Sequence, residues 1–309
     1  MNVYTDLNNL PRFRNAVVTI GTFDGVHEGH QQIIRKLKEE AEAVNGETVI
    51  ITFHPHPRKV VSSTILGIRL INTLEERIEL LEKAGIHHLV VVPFTEAFAH
   101  QEAEAYIHNF LVGKFQPHTV IIGYDHRFGR ERQGDYLLLE KKAPEYGFRL
   151  KEIPRHVLNE IAISSTRIRE AIIHHQFDTA NSLLGYEFFF EGEVVHGGKL
   201  GRKLGYPTAN LRIPDEEKLI PGDGIYAVYA ELKGEGKRMK GMMSIGFRPT
   251  TDGKNRVVEV HLFDFDKPIY GHTLRVYVKK YLREEVKYDT LEALAEQIGK
   301  DKEASLSVL

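Results

Sequence analysis

The chain contains no cysteine among its 309 residues. Disulfides and thiolate metal sites are therefore excluded, which fits a reducing compartment. No apolar run is long enough to span a bilayer. The opening MNVYTDLNNLPRFRN lacks the apolar core of a signal peptide, so a soluble protein of the cytoplasm is expected. Charge of one sign is also missing: the net charge is −2 with His neutral. No global basic field argues for nucleic acid or an anionic membrane, and neither is expected as a partner. Internal repeats and low-complexity tracts are absent. What is present is an ordinary globular composition with 42% hydrophobic residues, on a chain long enough for two domains.

The first ~185 residues alternate short apolar runs with helical patterns, the signature of a parallel α/β sheet. The runs are Ala16–Ile20, Thr48–Phe53, Leu89–Val92, Thr119–Gly123 and Arg149–Ile153. Most are nearly all apolar or β-branched, as in strands buried on both faces. Gly29–Val44 places Ile33, Ile34, Leu37 and Ala41 on one helical face. Thr73-Leu74-Glu75-Glu76 reads as a capping box opening a helix that Gly85 closes, and a further helix ends near Tyr146 before Gly147. After Leu184 short alternating runs take over: Phe188–Val195, Ile225–Leu232, Met239–Ile245, Val257–Phe263 and Thr273–Tyr281. Gly- and Pro-rich turns separate them, as in a small antiparallel barrel or sandwich. One helix, Thr290–Ile298, follows. The domain boundary is expected near Gly185–Glu187, giving domains 1–185 and 186–309.

The strongest local signal is GTFDGVHEGH, Gly21 to His30, directly after the first strand and opening the first helix. Glycines let backbone approach a phosphate, and the helix N-terminus supplies free N–H groups and a positive dipole end. His27 and His30, three residues apart, can face one anion. Among 16 His residues roughly one such pair arises by chance, so it is the strand–turn–helix context that points to phosphate. A capped turn with surface histidines is the plain alternative. Further on, Ser164, Ser165 and Thr166 read as an N-cap for the helix continuing as REAIIHH. Arg167 and Arg169 then oppose the helix dipole unless a polyphosphate sits there; otherwise they are ordinary surface arginines.

GTFDGVHEGH and ISSTRIR, in this order at strand–helix junctions, resemble the nucleotidylyltransferase superfamily. GYDHRFG (Gly123–Gly129) and TFHPHP (Thr52–Pro57) narrow the resemblance to the FMN adenylyltransferase module of bacterial bifunctional FAD synthetases. The family usually has an aromatic where His126 stands. The resemblance implies a Rossmann-like domain in which the FMN phosphate attacks the α-phosphorus of ATP and pyrophosphate leaves. It assigns ATP to Gly21, Phe23, Asp24, Gly29, Ser164, Ser165 and Thr166, catalysis to His27, His30 and Arg167, and the flavin to Pro57, Asp125 and Phe128. The attacking phosphate is already anionic, so catalysis rests on placing two repelling anions and neutralising developing charge. His30 is expected nearest the transferring group.

The second constellation is HGGKLGRKLGYPTAN, His196 to Asn210. It is Gly-rich and basic, and too irregular for a Walker A loop; a plain turn is the alternative. Thr208 and Asn210 alternate with Ala209, so on an extended backbone both face one side. Such an oxygen-rich pair suits Mg²⁺. In Arg256–Phe263, Val258, Val260 and Leu262 alternate with Glu259 and His261, placing carboxylate and imidazole on one strand face. That face looks either to solvent or into a cleft. Together with SIGFRPT (Ser244–Thr250), VEVHLFDF (Val258–Phe265) and IYGHTLRVYVKKYLR (Ile269–Arg283), this assembly resembles riboflavin kinase over nearly all of the second domain. Ser244 replaces the family's common Asn.

By that resemblance Thr208 and Asn210 hold Mg²⁺–ATP, Gly198, Lys199, Gly201 and Gly205 belong to a loop over the nucleotide phosphates, and Glu259 is the general base for the riboflavin hydroxyl. The chain is thus expected to make FMN from riboflavin and FAD from FMN, with small molecules as partners and weak homo-oligomerisation left open. The rivals are a chain with one live domain and a flavin-sensing regulator. HPHP, His87-His88 and His174-His175 are read as surface or flavin-lining histidines rather than a Zn²⁺ site, and Lys279-Lys280 with Tyr277 and Tyr281 as alternating strand residues rather than an RNA-binding strip.

Overall fold

A computed structural model describes all residues except 62–68, 199 and 251–252. Contacts divide the chain into two units, Met1–Ser165 and Thr166–Leu309.

The first unit is built on six parallel strands: β1 (Asn2–Tyr4), β2 (Val17–Ile20), β3 (Thr48–His54), β4 (His88–Pro93), β5 (Thr119–Gly123) and β6 (Arg149–Ile153). They lie in the order β1-β4-β3-β2-β5-β6. Alternation along each strand feeds two cores. Val18, Ile20, Val49, Ile51, Val90 and Val120 face one side, while Val17, Ile50, Leu89, Val91 and Ile121 face the other. The second face is covered by α1 (Glu28–Ala43) and α2 (Leu74–Lys83) through Ile33, Ile34, Leu37 and Leu81. The first is covered by α3 (Tyr136–Tyr146) and by a helical segment over 103–115 whose middle, Tyr106–Val112, is π-helical. β2 and β5 are buried at every position and β3 and β4 at nearly every one, and such two-sided burial requires their near-continuous apolar runs; the edge strands β1 and β6 are largely exposed. The capping box at Thr73 and Glu76 forms in full, and Gly85 (φ +78) and Gly147 (φ +73) take left-handed backbone as α2 and α3 end.

Three readings need correction here. β1 was missed, being three residues long and held only by parallel pairing with β4. The Ser-Ser-Thr run does not cap a helix: α4 runs without a break from Arg155 to Ile173. Its start is set by Pro154, after which RHVLNEIAI continues the same helix, so Ser164, Ser165 and Thr166 lie inside it. Arg167 and Arg169 are therefore not in a first turn, and the expected dipole conflict does not arise. His87 is at the surface, as read, but His88 is neither surface nor flavin-lining. The Thr48 backbone N–H donates to His87 Nδ1 at 3.0 Å, and His88 is buried, with its ring 5.0 Å from that of Phe13.

In the second unit, α5 (Phe177–Leu184) precedes six strands: β7 (Phe189–Val195), β8 (Ala209–Arg212), β9 (Gly224–Leu232), β10 (Met239–Thr250), β11 (Gly253–Leu262) and β12 (Thr273–Arg283). They close a barrel in the order β10-β11-β8-β7-β12-β9, with every pairing antiparallel. The interior holds Phe188, Phe190, Val228, Ile245, Val260, Val276 and Val278. Lys279 and Lys280 do not alternate as expected: a bulge between Val278 and Lys280 leaves both exposed. The terminal helix α6 starts as read, with Thr290 accepting from the Ala293 N–H, but runs on from Leu291 to Val308. Gly299 does not end it, because the following turns are held on the barrel: Asp301 and Ser305 are buried, and the Leu309 carbonyl accepts from the Tyr229 hydroxyl. His175 also serves the core, stacked on Tyr281 with ring centroids 4.0 Å apart.

Candidate active sites

In the first unit, strand order reverses at β2, since β3 lies on one side of it and β5 on the other. Such a switch point opens a crevice beyond the carboxyl ends of the strands. Gly21 to His30 occupies that position, leading from β2 into α1. Its backbone is forced: Phe23 (φ +50), Gly25 (φ +90) and Val26 (φ +39) are all left-handed, and for a β-branched residue that conformation is strained, as at many functional sites. A Cβ on Gly29 would come within 2.8 Å of Ile161 Cγ1 and 3.2 Å of its Cα, so glycine there lets α4 cross the start of α1.

That crossing builds the site. His27 stands at the N-cap of α1 without capping it through its side chain. Its Nε2 is 2.8 Å from Ser165 Oγ on α4, and its ring centroid is 4.0 Å from that of His30. Both histidines are buried. Burial, then the neighbouring His27 and Arg77, hold the His30 pKa well below the usual histidine value, so the imidazole is neutral at pH 7. Its Nδ1 is buried with no hydrogen-bond partner among the described residues. Two adjacent imidazoles tilted by 32°, a serine hydroxyl and a helix N-terminus can jointly receive a phosphate chain.

Phe23 packs in the core with its ring 5.0 Å from His30. Asp24 is turned inward and accepts from the Asn72 N–H at 3.1 Å. Ser164 is half-buried, whereas Thr166 and Arg167 are exposed. Arg167 lies two residues past Ser165, about 200° further round the same helix.

A cavity of about 630 Å³ adjoins β3 and β5. Its wall includes Phe53, Pro57, Phe94, Phe98, Tyr106 and Phe128, with Tyr106 and Phe128 stacked at 4.6 Å. Such walls suit a planar aromatic ligand. Pro57 and Phe128 are thus brought together, but Asp125 is exposed and is not part of this lining. Tyr106 was missed; it sits in the π-helical segment, which has no signature in the sequence.

His126 also lines this cavity, and burial, with Arg127 and Arg132 adding to it, lowers its pKa from 6.5 to about 4. The unfolded chain therefore takes up this proton first on acidification, and stability present above pH 6.5 is lost as the pH falls toward 4. His126→Phe is expected to flatten that decline, read as the difference in urea midpoint of the first unit between pH 7 and pH 4.5. An unaltered pH slope would refute the assignment.

In the second unit, register brings the predicted residues together. Glu259 on β11 pairs with Asn210 on β8 and with Ser244 on β10. All three, with Thr208 and His261, line one cavity of about 760 Å³, while Val258, Val260 and Leu262 are buried. The polar face of β11 therefore looks into a cleft. His261 is fixed by Nδ1 donating to the Pro207 carbonyl at 2.7 Å, and Ser244 Oγ donates to Glu285 at 3.2 Å. A Cβ on Gly197 would meet the Asn210 amide at 2.2 Å, and one on Gly201 the Tyr206 carbonyl at 2.4 Å. Gly198 stands clear of neighbours, Gly205 is left-handed at φ +83, and Lys199 lies outside the described residues. Arg283 on β12 and Leu294, Ile298 and Asp301 on α6 complete the wall. These four were not foreseen, because nothing local marks a helix as the lid of a barrel.

The Thr208 hydroxyl and Asn210 amide oxygen are hard donors held two residues apart on one face. Among the described residues no cluster of three or more His, Cys, Asp or Glu could hold a metal alone. By their chemistry, two hard oxygen donors fit a cation such as Mg²⁺ that takes its remaining ligands from phosphate oxygens and water.

Residues 10–167 match the family model described as FAD synthetase, and residues 184–309 match that described as riboflavin kinase. Fold, clefts and both matches define a two-part flavin nucleotide transferase. The curated relatives extend over the whole length. A bifunctional riboflavin kinase/FMN adenylyltransferase of Haemophilus influenzae is 36% identical over 99% of this chain and 98% of its own. That of Escherichia coli K12 is 36% identical over 96% and 93%, and that of Bacillus subtilis 36% over 94% and 92%. The chain belongs to the bifunctional riboflavin kinase/FMN adenylyltransferase family. A crystal structure described as a macrolide-efflux protein from Streptococcus pneumoniae shares the fold with a TM-score of 0.84, at 28% identity over 98% of both chains. Among the described residues no helix here is long and apolar enough to cross a membrane.

Proposed function

We propose that the two halves act in sequence on a flavin, each through its own cleft: 1–185 as the adenylyltransferase and 186–309 as the kinase. Contacts divide the chain earlier, between Ser165 and Thr166; the boundary proposed here is the end of α5 at Gly185. In the kinase cleft Glu259 takes the proton of the riboflavin 5′-hydroxyl as that oxygen attacks the γ-phosphorus of ATP and ADP departs. A neutral alcohol is a poor nucleophile and gains from a positioned carboxylate. Thr208 and Asn210 would hold Mg²⁺, which would neutralise charge on the phosphates, and Gly198, Gly201 and Gly205 let the loop backbone come close to them. In the other half an FMN phosphate oxygen attacks the α-phosphorus of ATP, and the bond to the bridging oxygen of the leaving pyrophosphate breaks. His27, His30 and Ser165 receive the phosphates at the helix N-terminus, and the aromatic cavity with Pro57 and Phe128 takes the flavin ring; Arg167, exposed and on another face of α4 from Ser165, is given no part in the transfer. We take the substrates to be small molecules only and the setting to be the cytoplasm.

The observation that carries this reading is the meeting in a single cavity of Asn210 and Glu259, from two paired strands, with Thr208 just ahead of the first. Incubation with riboflavin, ATP and Mg²⁺, followed by separation of the flavins, tests it: FMN is expected first, then FAD. One product alone means one live half, and neither product means a binding protein. For the metal pair, Thr208→Ala is expected to raise the Mg²⁺ concentration giving half-maximal phosphorylation about tenfold, since a lost hard ligand weakens a site of so few donors. An unshifted Mg²⁺ titration would remove Thr208 from the metal site.

A further inference from the structure

The kinase cavity contains an arginine whose charge is already matched. Arg283 Nε donates to Asp301 Oδ1 at 2.8 Å and Nη2 to Oδ2 at 2.6 Å, a bidentate fork. Nη1 is tied to the Glu284 carbonyl at 2.7 Å, and Gln297 fixes Asp301 by donating to Oδ1 at 3.0 Å. Asp301 is 5% exposed, and both partners line the cavity. Two structural devices make the pair. A bulge between Tyr281 and Arg283 re-aims the end of β12, and α6 lies against β9, β10 and β12. The other charged side chains of the wall are Glu259, Glu285 and Lys287, so with Asp301 acids outnumber bases.

The reaction proposed for this cavity converts an uncharged flavin into one carrying a phosphate dianion. A bare guanidinium in the wall would favour that product. We infer that Asp301 is a positioning residue that masks Arg283, so that the cavity keeps the neutral substrate in preference to its own phosphorylated product. This inference rests on reading the cavity as the riboflavin site. Asp301 holds the guanidinium in a fixed fork and cancels its charge, so Arg283 contributes shape and neutral hydrogen bonding to the wall. The same pair fastens the last turns of α6 over the opening. Selectivity of this kind is built against a competitor as much as for a substrate.

The test is the ratio of the inhibition constant for added FMN to the KM for riboflavin. It is measured from initial phosphorylation rates in a His30→Ala background, so that FMN is not consumed. Asp301→Asn, which is isosteric and uncharged, is expected to lower that ratio about tenfold, as close charge pairs can. Asp301→Glu should restore it toward the parent value, and Asp301→Asn/Arg283→Gln should abolish the drop because no charge is left to expose. A purely structural role would weaken both flavins together and leave the ratio unmoved; that result, or a failure of the double variant to reverse the drop, overturns the inference. Loss of α6 docking is recognised separately by a fall in melting temperature with the ratio unchanged, which also counts against it. If the parent chain does not phosphorylate riboflavin at all, the reading of the cavity itself has failed.

Discussion

Glu259→Gln is expected to lower riboflavin phosphorylation by about 10²- to 10⁴-fold, the range set by losing a positioned general base. The amide keeps the shape and one acceptor oxygen, so binding of riboflavin and ATP should survive and the loss should fall on kcat. Packing supports a clean result. Glu259 faces the cavity while its neighbours Val258 and Val260 are buried, so the substitution leaves the barrel core untouched. FAD formation from supplied FMN should continue, because its groups sit in the other unit. Kinetics with riboflavin and FMN as separate substrates distinguish the outcomes; a variant that still phosphorylates riboflavin at the parent rate would leave Glu259 without a catalytic role.

His30→Ala should act in the opposite sense, cutting FAD formation by about 10²- to 10³-fold, the cost of removing one preorganised donor to developing charge, while FMN accumulates. In the free protein His30 is neutral. Burial, His27 and Arg77 keep the proton off, whereas two polyanions arriving beside the ring favour the imidazolium. His30 can therefore gain a positive charge when the phosphates need it, which an always-charged lysine could not do. Quantifying FMN and FAD after incubation with riboflavin and ATP checks this, and FAD appearing at the parent rate would exclude His30 from the transfer.

Much of this is legible in the sequence. Two-sided burial of a parallel sheet left its mark in the near-continuous apolar runs Val17–Ile20 and Thr48–Phe53. A period of two placed Glu259 and His261 on one face, and the capping box at Thr73 and Glu76 is a local code read without tertiary context. What escaped depends on contacts distant in sequence. Ser165 reads as a cap because Ser is a cap former, yet it is part of a helix that Pro154 starts earlier, and its hydroxyl serves His27 from another element. Tyr106 belongs to a π-helical turn with no periodic signal. The length of α6 is decided by Asp301 meeting Arg283, 18 residues away in sequence, rather than by the glycine in its middle.

The kinase centre is assembled by pairing across β8, β10 and β11, which gives it a parity. Moving Glu259 by one position along its strand would present Val258 or Val260 to the cleft and bury the carboxylate. A closed barrel offers no free edge at which such a slip could be absorbed. A change of length within β11 ahead of Glu259 is therefore compatible with this chemistry only in steps of two, unless a bulge like those of β12 takes up the odd residue.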